Sequence, residues 1–126
     1  METLTLNLPE RRNAIGTQMA SELLYALADA EEAREVKVIV LTGEGKTFCA
    51  GGDFGQMTSG GGESKLPPRG DYADLLLALV RAQKPVVCKM NGSAMGGGLG
   101  LVAACTFAVA PADAKLGTPE VDVGLF

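Results

Sequence analysis

Two short stretches gather glycines where a bare main chain could do chemistry: residues 49–53, CAGGD, and residues 95–100, MGGGLG. The hydrophobic pattern around each places it after a strand and at the opening of a helix. The first N–H groups of a helix have no intrahelical acceptor, and the aligned peptide dipoles make that end positive. Without side chains in the way, a ligand can approach such a main chain closely. Two converging clusters would give one developing negative charge a pair of N–H donors, each typically worth about 3–4 kcal/mol in a transition state. Taken singly, either cluster reads equally well as a tight turn chosen for packing.

The chain has no histidine. No Ser-His-Asp or Cys-His arrangement can be assembled within it, and a histidine-based zinc site is excluded. Acid–base work would fall to Asp, Glu, Lys, Tyr or Cys. Two other glycine patterns fail on inspection. GEGKT lacks the Walker glycine, because Val40 stands five residues before Gly45, and it reads as a hairpin-like turn. The glycines at 96, 97, 98 and 100 miss the dinucleotide fingerprint, because Leu101 stands where its third glycine belongs.

The elements that must position these clusters follow from periodicity. Residues 3–8 (TLTLNL) alternate as a half-buried strand. Thr17 can cap a helix running to about Arg34, with Met19, Leu23, Leu27 and Ala30 on its apolar stripe. Residues 36–42 (VKVIVLT) read as a buried strand. A loop rich in Gly, Ser and Pro, about 58–70, is expected to be a mobile excursion over the surface. Asp71 caps the next helix, with Tyr72, Leu75, Leu76, Leu79 and Val80 inward. Strands at 86–90 and 106–110 flank the second glycine cluster. Alternating strands and helices over 126 residues indicate a single α/β domain.

Composition sets the surroundings. A net charge of −4 with scattered basic residues argues against a nucleic-acid partner. No apolar run is long enough to cross a membrane, and the first residues carry no secretory pattern. Cys49, Cys88 and Cys105 are odd in number and widely spaced, which suits reduced thiols and a cytoplasmic location.

Four segments together resemble one family. NLPERRNAIG (7–16), TFCAGGDFGQM (47–57), NGSAMGGGLGL (91–101) and KLGTPEVDVGLF (115–126) are similar, in order and spacing, to the signatures of the crotonase superfamily, the enoyl-CoA hydratase/isomerases. The resemblance implies an α/β fold, a crotonase-like spiral of ββα units. It covers roughly the first half of a typical member, so the chain reads as truncated before the C-terminal helical region that builds a homotrimer or hexamer. It also implies an acyl-CoA thioester substrate and no separate cofactor, CoA being part of the substrate, with no metal. Carried over by position, the enolate-stabilising donors are the N–H groups of Gly52 and Gly97. Ala50 and Asp53 fall among the CoA-facing residues. Arg11 and Arg12 lie where the family approaches the CoA phosphates, although a solvated turn suits at least one of them.

The acids then decide the reaction. Hydrating members carry two glutamates, one just after the glycine triplet and one in a later Pro-Glu pair. Glu120 follows Pro119 and fits the second place; Gly100 occupies the first. Water addition needs one group to activate water and another to handle the α-proton, and a glycine offers neither. The resemblance therefore points to Glu120 as a lone proton shuttle, in double-bond isomerisation or hydration of an enoyl-CoA. Asp122, offset from it along an expected strand, is read as surface. The competing expectation is a catalytically incomplete fragment that binds acyl-CoA or assembles with partners, exposing apolar surface at its cut edge.

Overall fold

A computed structural model describes residues 1–52, 66–122 and 124, apart from the Glu120 side chain. Asp53 and most of the loop expected at 58–70 lie outside the described residues. Along the chain run β1 (Glu2–Leu6), α1 (Thr17–Glu32), β2 (Ile39–Gly43), β3 (Thr47–Cys49), α2 (Tyr72–Val80), β4 (Val86–Lys89), β5 (Ser93–Met95), α3 (Gly97–Ala104), β6 (Phe107–Val109) and β7 (Leu116–Gly117). They build two parallel sheets, one ordered β1-β2-β4-β6 and the other β3-β5-β7. Each successive pair (β2 with β3, β4 with β5, β6 with β7) adds one strand to each sheet. Parallel neighbours cannot be joined by a tight hairpin and need a crossover. The helices supply it, and the result is a layered spiral.

Burial follows the patterning. Leu4 and Leu6 of β1 point inward while Thr3 and Thr5 are exposed, and Ile39, Val40 and Leu41 of β2 are all buried. That unbroken apolar run is what a strand covered on both faces requires. Leu23, Leu27 and Ala30 of α1 join the same core, with Met19 packed against it. At the C-terminus of α1 the Lys84 ammonium donates to the carbonyls of Ala30 (2.6 Å) and Ala33 (2.7 Å), where a cation suits the helix dipole.

Several expectations need correcting. GEGKT does not fold back as a hairpin, because β2 and β3 belong to different sheets and the turn carries the chain between them. Helix α1 is capped by Gly16, without a side-chain cap, and Thr17 is its first residue. Val80, the last residue of α2, is 68% exposed. Asp122 follows a 3-10 turn, Pro119–Val121, rather than standing in a strand. At the outer edges of the sheets, Phe107 and Val109 on β6 and Leu116 on β7 are exposed.

Asp71 does cap α2, and with Asp74 it forms a reciprocal capping box at 2.9 Å in each direction. The Asp74 backbone N–H is the main reason the Asp71 carboxyl sits below its ordinary pKa. A carboxylate depressed in the folded state stabilises above its unfolded pKa, about 3.9, and that contribution fades as pH falls through the folded value. The stability deficit of Asp71→Ala is therefore expected to be full at neutral pH and to shrink on acidification below about pH 4, as melting temperatures of parent and variant across pH will check.

Candidate active site

The first glycine cluster is held by the turn that precedes α1. After a 3-10 turn, Pro9–Arg11, both Arg12 and Asn13 adopt left-handed backbone, at φ 52° and 55°. Asparagine tolerates that conformation better than most residues. The Asn13 side chain is fully buried. Its Oδ1 accepts from the Leu8 N–H at 2.8 Å, and its Nδ2 donates to the carbonyls of Glu44 (3.0 Å), Thr47 (3.0 Å) and Phe48 (3.1 Å). The main chain continues the clamp: Ala50 N–H donates to Arg12 O at 2.9 Å, and Ile15 N–H to Gly51 O at 2.7 Å. Ile15 and Gly52 pair as an isolated parallel bridge.

The second cluster closes on the first. Gly51 has φ 105°, and a Cβ there would stand 3.0 Å from Met95 O and 3.3 Å from Gly97 N. Gly96, at φ 53° and ψ −120°, turns the chain out of β5 into α3, a conformation open essentially to glycine alone. Gly98 lets the helix press on β3: a Cβ would overlap the Cys49 carbonyl oxygen and lie 2.8 Å from Cys49 Cβ. Gly97 is the first residue of α3, so its N–H has no intrahelical acceptor.

Gly52 and Gly97 line one cavity of about 200 Å³, together with Ile15, Gly16, Thr17, Ala20, Asp71 and Tyr72. The Tyr72 hydroxyl donates to the Gly97 carbonyl at 2.7 Å. Strand β7 reaches the same place from the other side, since Met95 pairs with Gly117 and Gly96 N–H donates to Gly117 O at 2.8 Å. Glu120 is three residues further along, so its main chain lies within roughly 10 Å of Gly117, in the 3-10 turn Pro119–Val121. Its side chain lies outside what the structure describes, as does Asp53.

The remaining expected residues divide. Ala50 lies within the first cluster, its N–H engaged by Arg12 O. The Arg12 side chain is exposed. Arg11 lines a different groove of about 490 Å³ between β1 and α1, with Thr5, Asn7, Gln18 and Glu22. Arg11 and the two glycines are thus not gathered in one cavity. Among the described residues, no group of three or more Asp, Glu and Cys is placed to hold a metal ion, and no helix is long and apolar enough to cross a membrane.

Cys49, beneath Gly98, donates to Asn13 O at 3.2 Å. Burial pushes its pKa up to about 11, which keeps it a neutral thiol at ordinary pH and a poor nucleophile. The neighbouring Cys105 thiol, with burial after it, pushes the Cys88 pKa up, and the Cys88 thiol lowers that of Cys105, whose Sγ–H donates to Leu101 O at 3.2 Å.

Two residues of the site escape a reading by motif. Asn13 looks like an ordinary turn asparagine, and the three carbonyls its amide donates to stand 31 to 35 positions away. Tyr72 looks like an inward helix residue; the run NAIG and the four glycines at 96–100 are the only signals pointing toward either.

The model of the enoyl-CoA hydratase/isomerase family matches residues 1–126. A Thermus thermophilus relative, provisionally named an enoyl-CoA hydratase, is 40% identical over 122 residues, covering 94% of this chain and 48% of its own. The small ribosomal subunit protein mS47 of Schizosaccharomyces pombe is also 40% identical, over 126 residues, covering 97% of this chain and 29% of its own. Among solved structures, an enoyl-CoA hydratase from Mycobacterium marinum superposes with a TM-score of 0.83 at 32% identity, over 96% of this chain and 58% of that one. The chain thus spans about half the length, or less, of such relatives. With its two parallel sheets wound as one spiral and its paired glycine clusters in contact, the chain belongs to the enoyl-CoA hydratase/isomerase family.

Proposed function

We propose that the chain carries the thioester-activating part of an acyl-CoA enzyme, in which the N–H groups of Gly52 and Gly97 hold the thioester oxygen and Glu120 moves protons beside it. The observation that carries this reading is the meeting of Gly52 and Gly97 on one cavity. Two main-chain donors aimed at one oxygen stabilise the charge that forms there without needing to reorganise. The Glu120 carboxylate takes a proton from C2 of a 3-enoyl-CoA, and the electrons of that C–H bond move toward the thioester oxygen. Return of the proton at C4 leaves the double bond between C2 and C3. One carboxylate suffices for both transfers, whereas hydration asks for a second group to activate water, and Gly100 supplies none.

Fold alone does not settle chemistry, and a relative named for a ribosomal subunit is as similar to this chain as one named for a hydratase. The discriminating experiment follows 3-enoyl-CoA isomerisation and crotonyl-CoA hydration side by side with the purified chain. Isomerisation exceeding hydration is the expected result. Binding of both thioesters with neither reaction would instead favour the incomplete, ligand-binding fragment.

A further inference from the structure

Tyr72 opens α2 immediately after its cap, and its ring lies across the first turn of α3. A Cβ on Gly97 would touch ring atoms Cε2 and Cζ at 3.4 Å each. A Cβ on Gly100 would overlap the Tyr72 hydroxyl, with Cζ at 3.4 Å and Leu76 Cδ2 at 3.8 Å. Positions 97 and 100 are three apart and share a helix face, so the two glycines form a groove that the ring fills. The hydroxyl is anchored there by its bond to Gly97 O, and Tyr72 is part of the cavity wall with Gly52 and Gly97.

We propose that Tyr72 is a specificity-determining residue, the wall that closes the cavity at its α3 end in the space left by the missing side chain at position 100, and so bounds the acyl group the site accepts. This rests on the acyl-CoA reading of the cavity. It also couples the two positions. Any side chain at 100 competes with the Tyr72 hydroxyl, and once that oxygen is removed the nearest neighbour of a Cβ is Cζ at 3.4 Å, an ordinary van der Waals separation.

The test titrates the 126-residue chain calorimetrically with butanoyl-CoA and octanoyl-CoA, as parent and as Tyr72→Ala. Opening the wall is expected to shift the affinity ratio at least about tenfold toward the longer thioester, since one extra methylene in a hydrophobic pocket is worth about 10- to 200-fold. A second set uses Gly100→Ala, alone and with Tyr72→Phe. The single variant is expected to lose butanoyl-CoA affinity and the double to regain it. Binding with an unchanged chain-length ratio in a folded Tyr72→Ala overturns the proposal alone. Equal loss from Gly100→Ala in both backgrounds does the same. Failure of the parent to bind either thioester overturns the acyl-CoA reading and the proposal with it.

Discussion

Asn13→Ala is expected to cost about 4 kcal/mol of stability, a large share of the roughly 5–15 kcal/mol that holds a domain together. The amide is fully buried and joins the Leu8 N–H to three carbonyls of the 44–48 segment. Truncation strands the Leu8 donor and the Phe48 acceptor, at about 1–3 kcal/mol for each buried group left unpaired. Thr47 O keeps a second donor, Asn91 Nδ2 at 3.1 Å, and the exposed Glu44 can turn to water, so those two add little. The left-handed backbone at φ 55° adds about 1–2 kcal/mol for a residue with a Cβ and no side-chain hydrogen bond to offset it. Urea unfolding measures the sum, and Asn13→Gly separates its parts, since glycine recovers the backbone cost and none of the hydrogen bonds. A loss below about 1 kcal/mol, no more than one ordinary hydrogen bond is worth, would show that the amide does not pin the first glycine cluster.

Glu120→Gln carries the second large effect. On the proposed mechanism, the carboxylate is the only group that moves the proton, and positioned acid–base groups contribute about 100- to 10,000-fold to rate. That range corresponds to about 3–5 kcal/mol of transition-state stabilisation. The amide is nearly isosteric but cannot accept the proton, so turnover is expected to fall by this factor while thioester affinity stays near that of the parent. Equal turnover in parent and variant would remove Glu120 from the chemistry.

What could be read from the residues, and what could not, has a physical pattern. Helix α1 is legible because burial on one face imposes a period on its residues, and strand β2 because its residues form a β-branched run. The capping role of Asp71 is legible because its partner, Asp74, is three residues away. The convergence of the glycine clusters was only conditional in the sequence; contact between Gly51 and the start of α3 depends on how the two sheets stack. Gly100 shows the limit most clearly. From its type and spacing it signifies a missing carboxylate, whereas in the fold it makes room for Tyr72, 28 positions upstream. Close approach between two helices leaves no periodic trace. The hairpin expected at GEGKT fails for a related reason: a local turn signal does not say which sheet the next strand joins.

The central claim is that Gly52, Gly97 and Glu120 together support an enolate, and α-proton exchange tests it without choosing between isomerisation and hydration. The chain is incubated with butanoyl-CoA in D2O, and deuterium at C2 is followed by mass spectrometry beside an enzyme-free control and Glu120→Gln. Incorporation well above the control, falling at least about 100-fold in the variant, is the predicted result. Bound butanoyl-CoA whose C2 protons exchange no faster than in the control would contradict it.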